Sequence, residues 1–188
     1  MSDSLAPGFL VAAPQLQDPN FARTVVLVLE HDDEDGSLGL VINRPAMVAV
    51  EQILEILGLE GEGPGCLGDE STVMYGGPVA TEFGWILHTP DWQRESTRAV
   101  GEGVCVTANR EILEAIVARR GPSRFLFCLG YSGWGPGQLV SELKAGAWIT
   151  VPFAADLVFD VEADHKWGAA LARLGIDPMA LAPIVGDA

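Results

Sequence analysis

The segment "RFLFCLGYSGWGPGQLVSEL", residues 124–143, constrains the fold more than any other in this chain. Nothing from Phe125 to Gly130 asks for water, which predicts a fully buried central strand. Gly130, Gly133, Gly135, Pro136 and Gly137 then follow in quick succession, as a chain needs when it must leave a buried strand sharply. A short helix is expected from about Gly137 to Ala145. The C-terminal end of a buried strand is also where mixed α/β proteins place sites. Tyr131, Trp134 and Gln138 exceed what such a turn requires, which marks the junction as a recognition surface. Trp134, too large to bury itself within a Gly/Pro turn, must cover a neighbouring element, a ligand or a partner.

Strand and helix signals interleave elsewhere without a repeat. "GFLVAAP" (8–14), "RTVVLVLEH" (23–31) and "SLGLVINRP" (37–45) predict a three-stranded meander, with "HDDEDG" as a hairpin turn that needs positive φ at Gly36. "VEQILEILGL" places Val50, Ile53, Leu54 and Leu57 on one helical face, and a Gly-rich loop (58–71) follows. "TVMYGGP", "FGWILHT" and "GVCVT" read as strands. "NREILEAIVARRG" is an amphipathic helix with Ile112, Leu113, Ile116 and Val117 inward, cations near its end and Gly121 as its stop. A further helix is expected around "DHKWGAALARLG". One domain spanning 1–188 is expected, with flexible ends at about 1–7 and 178–188.

Charge and cysteine usage narrow the function. With 26 acidic and 11 basic residues the formal charge is −15, a field that repels nucleic acid unless a local basic patch overrides it. None is found, so no direct nucleic-acid binding is expected. No apolar run reaches the roughly 18 residues a membrane helix needs, and "MSDSLAPGF" has no secretory pattern, so a cytoplasmic protein without membrane contact is expected. Cys66, Cys105 and Cys128 are odd in number and unpaired in spacing, which fits reduced thiols.

Several chemistries fail on spacing. "GYSGWG" approaches the nucleophile elbow G-x-S-x-G around Ser132, and Asp156 or Asp160 and His165 follow in the matching order. Trp134 stands where that turn needs a small glycine, and the chain is short for the fold that carries it. No phosphate-binding loop is legible. A calcium loop centred on Gly36 would have His31 and Ile42 as its anchors, which breaks the pattern. His31, His88 and His165 share no ligand spacing, so no metal and no cofactor are expected.

The blocks "GFLVAAPQLQDPNFARTVVLVLEHDDEDGSLGLVINRP", "YGGPV", "GWILH", "LGYSGWGPGQL" and "SELKAGAW" resemble, in order and spacing, the YqgE/AlgH family of bacterial proteins over about residues 8–175. The resemblance implies an α+β fold, a bifurcated mixed β-sheet folded into a pseudo-barrel with flanking helices. Members are commonly labelled transcriptional regulators, and no activity, cofactor or DNA-binding motif comes with the resemblance. The chain departs from the pattern at Val140, where a Glu is usual while Glu142 keeps the second acid. It departs again at Gly146, in place of an Asn, and at Gly186, Asp187 and Ala188, where Gly-His-Ala is usual.

Two readings follow. The first is a regulatory or protein-interaction module that binds a protein partner through Asn43, Arg44, Gly76 and Gly77 together with His88, Tyr131, Trp134, Gln138 and Glu142. The second is a small-ligand binder or hydrolase-like enzyme with a pocket at the 130–142 junction, where Ser132, His88 and Glu142 would have to approach within about 2.6–3.2 Å.

Overall fold

The computed structural model describes residues 5–59, 72–178 and 180. Most of the Gly-rich loop, with Cys66, and most of the predicted flexible ends, with Gly186, Asp187 and Ala188, lie outside the described residues. The meander forms as expected: β1 (Gly8–Ala12), β2 (Val25–Asp32) and β3 (Gly36–Val41) pair antiparallel in sequence. Its hairpin turns at Gly36, φ +106°, while Asp32 Oδ1 accepts the N–H groups of Glu34 and Asp35 at 2.7 and 2.9 Å. The same two bonds, that of Asp35 the larger influence, hold the Asp32 carboxyl below its ordinary range.

Two strands carried no clear signal. β4 (Pro45–Ala49) runs directly into α1 (Val50–Ile56) and pairs only with β5 (Thr72–Tyr75), and β7 (Arg98–Gly101) is a short edge strand on β8 (Val104–Thr107). Leu57 is not on the buried face of α1 but is its C-cap and exposed. In α2 (Arg110–Val117), Ile112, Leu113 and Ile116 are buried as predicted. The residue that ends α2 is Arg119 rather than Gly121. Arg119 adopts φ +54° and its N–H reaches Ile116 C=O, while Arg120 N–H reaches Ala115 C=O, a Schellman closure with arginine in the usual glycine position.

The central strand, β9 (Phe125–Trp134), is longer than predicted: "GYSGW" continues it instead of turning out of it. Phe125 and Leu126 are also only half-buried. β6 (Val79–His88) pairs with it antiparallel, β5 pairs parallel along Phe127–Leu129, and β3 pairs antiparallel along Ser132–Trp134. Where β5 ends, Val41 N–H donates to Gly76 C=O at 2.9 Å and β3 takes over. This handover is the bifurcation of the sheet.

The chain reaches β6 from β5 by crossing β9 at Gly76–Gly77. A Cβ on Gly77 would collide with the backbone of Tyr131 and Ser132, and one on Gly130 (φ +68°) would lie 2.5 Å from Gly77 O and 2.9 Å from Val79 O. Only glycine permits so close a backbone approach.

The sheet then curls into a half-barrel in the order β10-β1-β2-β3-β9-β6-β8-β7, where β10 is Trp148–Pro152. Its two ends meet through side chains. Phe153 stacks on Phe9 at 5.9 Å and covers Gly101 of β7, where a Cβ would meet its ring at 2.5 Å. Arg98 of β7 forms an ion pair with Glu30 of β2. Inside lie Phe9, Leu27, Leu40, Leu87 and Val106, with Leu157 and Leu171 from α4 (Ala155–Phe159) and α5 (Lys166–Ala172). A second apolar cluster lies under α1 and α2, and a third under α3 (Gln138–Lys144).

Lys166 opens α5 almost wholly buried, at 2% exposure. Its ammonium donates to Leu157 O at 2.9 Å and Val158 O at 2.5 Å, closing the C-terminal end of α4. Burial pushes its pKa from 10.5 down to about 8, and pushes the neighbouring Cys128 thiol up to about 12.

Two outcomes follow from these contacts. Gly137 shares φ +68° with Gly130 but has nothing within 4 Å of an added Cβ. In urea denaturation Gly137→Ala is therefore expected to cost only about 1–2 kcal/mol, and Gly130→Ala several kcal/mol more or the fold itself. For Lys166 the folded pKa lies below the unfolded one, so between about 8 and 10.5 the unfolded chain binds the extra proton and stability rises with pH. Above its ordinary value of 9.0, Cys128 works in the opposite direction. The stability of wild type minus that of Lys166→Met removes the larger, burial-driven part of the thiol's effect, and is expected to climb by something of the order of 3 kcal/mol across that window.

Candidate functional site

The junction at 130–142 is held by side chains that satisfy one another. Glu142 lies one helical turn from Gln138 on α3, so the two share a face. Glu142 Oε2 accepts the indole N–H of Trp134 at 3.0 Å and that of Trp148 at 2.8 Å. Its Oε1 accepts from Gln138 Nε2 at 2.8 Å, and Gln138 Oε1 in turn accepts the Gly135 N–H at 3.0 Å. The two indoles stand edge to face at 5.9 Å, with Phe21 against both. Trp134 is only 5% exposed, so what it covers is the third apolar cluster of its own chain.

The other proposed site residues lie in separate places. Asn43 Oδ1 accepts Val25 N–H at 2.7 Å and its amide donates to Arg23 O at 2.9 Å. The Arg44 guanidinium donates to the carbonyls of Pro19, Asn20 and Ala22 at 2.5–3.1 Å, tying down the 18–23 loop. Gly76 and Gly77 form the crossing over β9. His88 is fully buried between Thr89 O at 2.8 Å and Thr107 Oγ1 at 2.9 Å, edge-on to Trp92. Burial holds its pKa below the ordinary value.

The structure does not bring Ser132, His88 and Glu142 together. Ser132 is buried and its hydroxyl donates to Gly76 O at 3.1 Å. His88 pairs across the sheet with Phe125, seven residues back along β9, a distance of the order of 20 Å. Each of the three keeps its own partners. No group of three or more His, Cys, Asp or Glu among the described residues can hold a metal ion. No helix among them is long and apolar enough to cross a membrane.

Asn43 and Arg44 line a cavity of about 300 Å³ beside Trp167. Tyr131 lines a second one together with Trp134. It stands edge-on to Trp85 at 6.2 Å and lines a groove of about 590 Å³ at the mouth of the half-barrel, between the β2–β3 hairpin and the start of β6. Leu38, Val79 and Gly133 line it too, as do Glu30, His31, Asp32 and Asp35 of the hairpin. Val79 is 38% exposed, and Phe83, four residues further along β6, is 62% exposed. Sequence reasoning missed Val79 and Phe83. The available signal was "VATEFGW", where strand alternation fails and β6 makes a wide bulge between Val79 and Gly84 against β9.

The two indoles sharing one carboxylate generate a direct test. Glu142→Gln keeps size but loses the charge of the acceptor, and is expected to destabilise the fold by about 1–3 kcal/mol in urea, with a change in tryptophan emission.

A family model described as DUF179, AlgH-like, matches residues 9–179. A UPF0301 protein of Thioalkalivibrio sulfidiphilus is 42% identical over 187 residues, covering 100% of this chain and 97% of that one. Another, from Anaeromyxobacter dehalogenans strain 2CP-C, is 46% identical, covering 93% and 90%. The solution structure of the AlgH protein from Pseudomonas aeruginosa superposes with a TM-score of 0.80 at 37% identity, covering 100% of this chain and 98% of that one. Protein DIP2367 of Corynebacterium diphtheriae shares the fold, with a TM-score of 0.70 at 22% identity over 94% and 88%. The half-barrel fold and these matches together establish that the chain belongs to the AlgH-like (UPF0301) family.

Proposed function

We propose that this chain is a cytoplasmic regulatory module that acts by binding another protein, without direct DNA contact and without a catalytic step of its own. One observation carries the reading. Ser132, Gln138 and Glu142 at the junction, and His88 away from it, are all engaged in internal hydrogen bonds, while Val79 at the mouth of the half-barrel and Phe83 further along β6 are left exposed. A net charge of −15 adds repulsion against a nucleic-acid backbone. The volume of the mouth groove also suits a small ligand, the second reading, but Val79 and Phe83 extend apolar surface along a strand in the manner of a protein contact.

Affinity purification from the native cytoplasm tests this with two surface variants whose folds are checked by circular dichroism. A partner retained by wild type and by Met47→Ser, fully exposed on β4, is expected to fall at least about tenfold with Phe83→Ser. Equal recovery of the same proteins by all three would remove the reading.

A further inference from the structure

The cavity of about 300 Å³ beside Trp167 lies at the opposite end of β2 and β3 from the mouth groove, and its chemistry does not depend on the interaction reading above. Its wall is tied together by its own residues. Arg44 holds the carbonyls of Pro19, Asn20 and Ala22, and Asn43 Nδ2 donates to Arg23 O, so the turn that carries Arg23 is fixed from β3's end. The Trp167 indole, 6% exposed, is anchored by its bond to Ala12 O at 2.9 Å. A wall set in advance lowers the cost of holding a ligand.

Arg23 is the side chain this frame presents. Its Cζ lies 4.5 Å over the Trp167 ring, and the residue is exposed. Two other arginines lie over aromatic rings, Arg94 over Trp92 and Arg124 over Phe159. Each of those also pairs with a carboxylate, Glu111 and Asp160 respectively. The Arg23 guanidinium has no ion pair or hydrogen bond among the described residues. Its backbone also sits at φ +57°, which glycine or asparagine would adopt at less cost. What arginine adds there is a flat fork of donors steadied against an indole.

The charge on the wall selects the ligand. Arg44 lines the same cavity, and its three bonds all go to carbonyls, so it too lacks a carboxylate. Asp164, the acid on this wall, lies against His165 Nδ1 at 3.2 Å and pairs with neither guanidinium. Two guanidinium charges less one carboxylate leave a single positive charge, which a monoanion neutralises. A dianionic phosphate would leave excess negative charge beside Asp164.

We infer that this cavity binds the carboxylate of a small organic acid, which takes beside Arg23 the place that Glu111 and Asp160 take beside Arg94 and Arg124. The fork of Arg23 meets both carboxylate oxygens, and Arg44 supplies the second positive charge.

Nuclear magnetic resonance titration of the full chain at constant ionic strength tests this with propionate, its neutral isostere propionamide, and inorganic phosphate. Propionate is expected to move the Arg23 Nε–H, the Thr24 amide and the Trp167 indole N–H along one saturable curve, with a dissociation constant at least about tenfold below those of the other two. Arg23→Asn keeps a residue that tolerates the left-handed backbone. It is expected to weaken propionate at least about tenfold while the urea midpoint stays the same or rises. Arg94→Asn removes a stacked arginine that already has its acid, and is expected to leave propionate binding unchanged.

The wild-type titration is free of any folding concern and decides the matter by itself. Absence of saturable shifts, equal binding of propionamide, or phosphate binding as tight as propionate would each overturn the inference. So would shifts at Arg119, Arg120 and Lys144 equal to those at Arg23, which would reduce the effect to anions gathering on any cation. An Arg23→Asn chain that binds propionate as wild type does would overturn it as well.

Discussion

Everything in this fold depends on one place where the backbone passes over itself. β9 must hold β5 along its first half and β3 along its second, while β6, which follows β5 in the chain, must reach the other side of the same strand. The Gly76–Gly77 segment makes that passage directly over Gly130–Ser132. Two opposed backbones leave no room for a Cβ on either. The handover then fixes the curl: once β3 rather than β5 carries the sheet onward, the meander is swung round until β10 and β7 face each other across Phe153. The barrel closes by ring stacking and one ion pair rather than by a ladder of hydrogen bonds.

The crossing also explains why a segment with the composition of a catalytic loop carries no assembled catalytic group. Ser132 sits directly beneath Gly76 and donates to its carbonyl, which also accepts from Val41 N–H, so its hydroxyl is occupied within the crossing. The Trp134 and Trp148 indoles bring two N–H donors into an apolar cluster, and burial without an acceptor is costly. The single oxygen of Glu142 that meets both removes that cost. The amide of Gln138 then orients the carboxylate and reaches back to Gly135.

Much of this was legible in the chain. The meander, the positive φ at Gly36, the inward face of α2 and the helix after Gly137 are local consequences of pattern and turn chemistry. What was not legible depends on distant partners. "GYSGW" reads as a turn because its glycines suggest local freedom, whereas Gly130 answers to Gly77, more than fifty residues away in the sequence. Likewise Trp134 looks surplus until Phe21 and Trp148 are seen to enclose it. Arg119 in a left-handed cap is hidden because Gly121, two residues on, advertises itself as the stop. Of the proposed site residues, Tyr131 and Trp134 lie at the mouth groove and Asn43 and Arg44 at a second cavity, whereas His88 is enclosed by its own surroundings.

The departure at Val140 can be read against this geometry. Gln138 and Glu142, four residues apart, face β9 and β10 together, while position 140 lies about 200° round the helix from Gln138 and takes no part in the indole network. A Glu pair separated by two residues on a helix cannot share one target, since positions i and i+2 point apart. The acid that the pattern usually carries at 140 would therefore act on a different surface from Glu142. Its replacement by valine leaves the α3 clamp intact and reduces charge on the far side of that helix.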